Sequence, residues 1–274
     1  MAGFVQPCLR LIKITSHCGD NLQDKSGDQA MPQISTSGHD SKRKNHPVVA
    51  SREVRIPPLG LAGTLNRPDG ARALVIFAHG SGSSQFSPRN IQVAEALNRR
   101  GIATLLFDLL LPQEEEDRQN VFDIALLAQR LKQTVRQVIE EPDVSSLPIG
   151  LFGASTGAAA ALVAASGLGD RIGAVVSRGG RPDLAGDILP LVKVPTLLIV
   201  GGADYGVIEL NQQALQRLGG EKSLKIVPGA THLFEESGAL DAVIELAAGW
   251  FESHLVTGNL RTTKTDPRKP DARQ

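Results

Sequence analysis

The sequence predicts an α/β protein, a doubly wound and mostly parallel sheet of about eight strands with helices on both faces. Three observations carry this prediction. Apolar runs such as Ala73–Ala78, Ile102–Leu110, Ile172–Ser177 and Pro195–Val200 read as strands buried on both faces. They alternate with longer segments of helical periodicity, which imply crossover connections and parallel pairing. Several of the runs stop at short glycine-containing motifs, where an open α/β sheet places its ligands.

Taken in order, residues 1–50 are polar, lack apolar periodicity and read as a disordered extension. The domain is expected over 51–255, with its first strand at Glu53–Ile56. Leu59–Leu65 follows as an antiparallel partner, and Arg67–Gly70 as a turn. After the run Ala73–Ala78 comes His79-Gly-Ser-Gly-Ser-Ser84. A helix is expected from Pro88 to Arg100, stopped by Gly101. The strand Ile102–Leu110 leads to the run Glu114–Asp117, read as a solvated loop, and then to an amphipathic helix over 121–141. Leu147-Pro-Ile-Gly-Leu-Phe begins the next strand, and an alanine-rich helix follows it to about Ser166. Ile172–Ser177 opens into a loop carrying Arg178, Arg181 and Asp183. Pro195–Val200 ends at Gly201-Gly-Ala-Asp204. A helix over 209–218, a shorter strand at Ser223–Val227, the loop Gly229–His232 and a helix over 239–255 complete the domain. Residues 256–274 read as a disordered basic tail.

The organising stretch is Gly153-Ala-Ser-Thr-Gly157, between strand and helix. It fits G-x-S-x-G, in which a serine sits on a sharp strained turn with its hydroxyl clear of the backbone. Side chains two residues to either side would collide beneath that turn, and Gly153 and Gly157 carry none. The same small residues could serve a tightly packed junction alone. A nucleotide loop is the weaker alternative, since neither G-x-G-x-x-G nor G-x-x-x-x-G-K occurs there.

Four motifs should emerge at one sheet edge: His79-Gly-Ser-Gly, Ser155, Asp204 and His232. The order serine, aspartate, histidine is that of an α/β-hydrolase triad. Of six histidines, His17, His39 and His46 lie in the extension, His254 ends the last helix, and His79 precedes a glycine-rich turn. His232 is left as the general base. Asp204 is the expected acid that orients it, with Asp183 as the alternative and helix capping as its bland reading. The oxyanion donors are expected to be the backbone N–H groups of Thr156 and Ser81. Arg178 and Arg181 are candidate clamps for a carboxylate or phosphate, against pairing with Asp183 or Asp187. Asp108 reads as a backbone anchor.

Composition excludes other classes. Formal net charge is zero over the chain, but residues 51–254 hold 18 basic and 23 acidic groups. With 4% aromatic residues there is no nucleic-acid footprint. The two cysteines, Cys8 and Cys18, lie in the extension, so the core offers neither disulfides nor a cysteine nucleophile. No apolar run approaches a membrane span, the spacing of metal ligands is absent, and no cofactor is expected. A cytoplasmic chain is the expectation, with a short organelle-targeting segment as the lesser alternative, since no acid precedes Asp20. The oligomeric state is not indicated.

Phe77-Ala-His-Gly-Ser-Gly-Ser-Ser84, Gly150-Leu-Phe-Gly-Ala-Ser-Thr-Gly157, Ser177-Arg-Gly-Gly-Arg-Pro-Asp183, Gly201-Gly-Ala-Asp204 and Gly229-Ala-Thr-His-Leu-Phe-Glu235 together resemble the α/β-hydrolase superfamily. Within it they resemble the dienelactone hydrolase-like group, some of whose members are fused to a phosphoribosyltransferase domain that is not recognisable here. True dienelactone hydrolases carry a cysteine nucleophile, whereas this elbow holds Ser155, so the resemblance implies fold kinship rather than the dienelactone substrate. Fewer than twenty residues separate Ser177 from Pro195, too few for a helical cap. The expected activity is hydrolysis of a small ester or lactone, one that can be anionic, through an acyl-enzyme on Ser155. Acyl transfer by the same residues, or a binding module that retains the fold, are the alternatives.

Overall fold

Strand β3 (Ala73–Ala78) shows how the sheet organises the chain. Its side chains alternate between two apolar layers. Leu74 and Ile76 enter one, and Val75 and Phe77 the other. A strand clamped between two layers must be apolar at every position, which is why these runs read as continuous. Each Leu, Ile or Phe so buried contributes roughly 1.5–3 kcal/mol.

The structure, a computed structural model, describes residues 47–257. The expected disordered stretches 1–50 and 256–274 lie almost wholly outside the described residues. Eight strands form one sheet in the order β1-β2-β4-β3-β5-β6-β7-β8. They are β1 (Val49–Ile56), β2 (Leu61–Pro68), β3, β4 (Ile102–Phe107), β5 (Ile149–Ala154), β6 (Ile172–Arg178), β7 (Thr196–Gly201) and β8 (Lys222–Val227). β2 runs antiparallel to β1 and β4, and every other pair is parallel. From β3 the chain moves one way to β4 and the other way to β5. The reversal lies between β3 and β5, the switch point where an open α/β sheet leaves a crevice.

Helices α1 (Pro88–Arg99) and α7 (Ala239–Phe251) cover one face, and α4 (Ile124–Val138), α5 (Thr156–Leu168) and α6 (Tyr205–Arg217) the other. Between β4 and α4 lie two short helices, α2 (Pro112–Glu115) and α3 (Arg118–Phe122). α4 buries Leu127, Leu131, Val135 and Val138, a stripe at helical spacing. α5 is buried almost all round, and its alanines let α4 and the sheet approach closely. α1 starts where Ser87 caps it and Pro88 takes the first helical position, and it stops before Gly101 at φ +74°.

Several boundaries differ from expectation. β1 begins at Val49, four residues before Glu53, because an exposed edge strand shows no apolar alternation. α6 begins at Tyr205 rather than Glu209, and its first turn faces solvent. The run Glu114–Asp117 is not simply a solvated loop. Glu114 bonds Arg130 of α4 at 2.8 Å and accepts from the Leu111 N–H at 2.9 Å. The loop after β6 folds into 3₁₀ turns over Pro182–Leu191, interrupted at Gly186. α7 passes into a wider π-type turn, Glu252–Val256.

Candidate active site

The strand–helix turn has the expected strain. Ser155 adopts φ 51° and ψ −123°, a region costly for a residue with a Cβ, and it opens α5. A Cβ on Gly153 would lie 2.5 Å from Ala158 Cα, and one on Gly157 would overlap the carbonyl oxygen of Ala78. The two glycines are therefore required by packing as well as by the turn. The Arg181 N–H donates to the Ser155 carbonyl at 3.0 Å and fixes the elbow to the loop after β6.

Asp204 follows β7 and His232 lies on the loop after β8. Nδ1 of His232 is 2.7 Å from Oδ2 of Asp204. Facing a carboxylate, Nδ1 carries the proton and donates it, which leaves Nε2 as the acceptor. Asp204 sits at the N-cap of α6, yet its side chain makes no capping bond, so it serves the histidine rather than the helix. Asp183, the alternative acid, is engaged by Arg181 at 2.9 and 2.8 Å. His232 and Ser155 line one cleft of about 540 Å³, a volume within the range of ligand sites. Among the described residues no hydrogen bond joins Ser155 Oγ to the imidazole.

The loop after β3 forms the opposite wall. Its Gly80 packs so closely that a Cβ there would lie 2.8 Å from Ser155 Cβ. The Ser81 N–H, expected as an oxyanion donor, instead donates to Thr156 Oγ1 at 3.0 Å. That corrects the expectation: the amide is engaged inside the protein, and the threonine hydroxyl ties the loop to the elbow. The Thr156 N–H, at the first position of α5, has no acceptor among the described residues.

His79 pins the same loop. Its Nε2 accepts from the Leu109 N–H at 3.1 Å, so Nδ1 carries the proton and donates to the Gly80 carbonyl at 3.0 Å. Burial lowers its pKa and keeps this tautomer neutral. Asp108 anchors the far end, accepting from the Gln85 N–H at 2.8 Å and from Gln85 Nε2 at 2.9 Å.

The two arginines of the β6 loop separate. Arg181 is paired with Asp183, which raises its pKa, and is not among the residues lining the cleft with Ser155. Arg178 does line that cleft. It is only 7% exposed, and its Nη2 reaches Asn90 Oδ1 at 3.3 Å. Its guanidinium lies 6.0 Å from the Phe234 ring centroid. Burial, reinforced by Arg89, lowers its pKa to about 10, so it is still charged near neutrality. Neither Asn90 nor Phe234 is marked by a sequence motif as a partner of Arg178. Phe234, at φ 57°, lies inside the Gly229–Glu235 motif, but nothing in its residue type signals a strained buried contact with the loop after β6.

A second cavity, of about 530 Å³ and more apolar, lies beyond Phe86 against β1, β2 and α1, and none of Ser155, Asp204 and His232 lines it. Among the described residues no cluster of three or more His, Cys, Asp or Glu could hold a metal ion, and no helix is long and apolar enough to cross a membrane.

A sheet of this order, with a strained serine turn at its switch point, defines an α/β-hydrolase. Residues 71–243 match the alpha/beta hydrolase domain family, and the chain belongs to it, within the dienelactone hydrolase-like group. The crystal structure of a dienelactone hydrolase from Anabaena variabilis is 52% identical, with a TM-score of 0.73, over 77% of this chain and 99% of that one. Two Mycobacterium tuberculosis proteins provisionally named phosphoribosyl transferases are each 56% identical over 211 residues, 76% of this chain. The chain spans about half their length, 48%. Est1E from Butyrivibrio proteoclasticus shares the fold at 17% identity and a TM-score of 0.63.

Proposed function

We propose that this domain is a serine hydrolase that cleaves a small ester or lactone through an acyl-enzyme on Ser155. The observation that carries the reading is the pairing of His232 with Asp204 at 2.7 Å in the cleft that holds the strained serine. Ser155 Oγ attacks the carbonyl carbon as Nε2 of His232 takes its proton, and the charge that develops on the carbonyl oxygen is met by the Thr156 N–H. Collapse breaks the C–O bond to the alcohol, which leaves with the proton from His232. Water then gives its proton to the same nitrogen and attacks the acyl carbon, releasing the acid and restoring the serine. Asp204 holds the imidazole in the required tautomer and stabilises the imidazolium.

Membership of a family with dienelactone hydrolase and esterase structures supports hydrolysis in general. The transferase name of the mycobacterial relatives belongs to proteins about twice the length of the match, and its chemistry is not that of the residues gathered here. The test is Ser155→Ala. It should abolish turnover of p-nitrophenyl acetate, and labelling by a fluorophosphonate, while leaving the circular dichroism spectrum unchanged. Turnover near that of the wild type would sink the mechanism. Added alcohols competing with water for the acyl-enzyme would distinguish transfer from hydrolysis.

A further inference from the structure

We propose that the substrate carries a phosphate group, held beside the scissile bond between Arg178, Arg89 and the N-terminus of α1. This rests on the hydrolase reading of the same cleft and names its substrate class. Among the described residues, Arg89 and Arg178 line the cleft and no Asp or Glu does. Among the described residues, the buried Arg178 has no carboxylate partner and its Nε has no acceptor. A buried charge left in this way is costly unless a ligand completes it. Arg89 reaches Glu235 at 3.2 Å, yet its Nε is likewise buried without an acceptor.

The third contributor is backbone. Ser87, Pro88, Arg89 and Asn90, the cap and first turn of a twelve-residue helix, all line the cleft. Pro88 has no N–H, and the Arg89 N–H has no acceptor among the described residues. A helix N-terminus presents roughly half a positive charge. Added to the unpaired Arg178, that is about one and a half charges before Arg89 is counted. A phosphomonoester, at about −1.5 to −2 near neutrality, matches this better than a carboxylate at −1.

The experiment compares three acetyl esters that differ only at the far end: acetoxyethyl phosphate, acetoxypropanoate and ethylene glycol monoacetate. The phosphorylated ester should show a kcat/KM about tenfold to a hundredfold above the neutral one, and above the carboxylate. Arg178→Gln should bring that ratio towards one. Arg89→Gln, nearer the surface, should lower it as well, and serves if the first variant does not fold. Inorganic phosphate, titrated calorimetrically into the wild-type protein and into Ser155→Ala, should bind both, and bind Arg178→Gln more weakly. Equal rates for the phosphorylated and neutral esters would overturn the proposal, as would preference for the carboxylate. If no ester is turned over and Ser155 resists labelling, the hydrolase reading fails. The phosphate titration then decides the anion site alone: binding lost in Arg178→Gln upholds it, and no binding overturns it.

Discussion

At the scale of single residues, the site depends on whether each polar atom has one partner or a choice of two. Asp204 could cap α6 or orient His232, and it makes only the second contact. Asp204→Asn should therefore leave the fold intact and lower kcat roughly 10³–10⁴-fold through the wrong tautomer, with KM little changed. Steady-state kinetics on p-nitrophenyl acetate would measure it. A drop of less than tenfold would assign the imidazole's orientation to something else. The positions of Ser155, Asp204 and His232 at one sheet edge are legible in the sequence because Ser155 directly follows β5 and the other two lie on the short loops after β7 and β8. The fates of Ser81 and Arg181 could not. Ser81 is seventy-five positions from Thr156, and Arg181 had Asp183, Asp187 and a substrate to choose among, so only the folded geometry decides.

At the scale of elements, the junction of β5 and α5 is where conformation and chemistry meet. A Cβ at position 157 would overlap the backbone carbonyl of Ala78, which belongs to a central strand and has little room to yield. Gly157→Ala should cost about 1–3 kcal/mol, lower the thermal midpoint by several degrees, and reduce kcat about a hundredfold through displacement of the serine. Scanning calorimetry and single-turnover kinetics on the one variant would check both. The strands were legible where burial on both faces forces an unbroken apolar run, as in β3, β4 and β7. The first four residues of β1 carry no strand signal because most of its side chains meet solvent, and the turns of Pro182–Leu191 carry no period that a sequence displays.

At the scale of the whole molecule, stability and pH are linked through a residue outside the proposed triad. His79 is held neutral with a pKa below its ordinary 6.5. The unfolded chain therefore binds its proton at a higher pH than the folded one. The contribution is complete above about pH 6.5 and is lost as pH falls through the folded-state value. Comparing urea midpoints of the wild type and His79→Gln at pH 7.5 and pH 5 (both values chosen to lie about one unit or more from 6.5) tests this. The advantage of the wild type should shrink at the lower pH, and a constant difference would contradict the linkage. The doubly wound, mostly parallel class follows from alternating strand and helix signals, whereas the strand order, and with it the switch point between β3 and β5, is visible only in the folded sheet.

The two sides of the cleft rest on different foundations, and this bears on how new specificities could arise. The nucleophile's side is a helix enclosed almost entirely by core, where one added methyl group threatens folding and turnover together. The facing wall, from Gly80 to Ser87, is largely a surface segment held at a few points by His79, Thr156 and Asp108. Laboratory evolution towards other acyl or alcohol groups should accumulate its changes on that wall, sparing the three tethers, while the alanine helix stays nearly invariant.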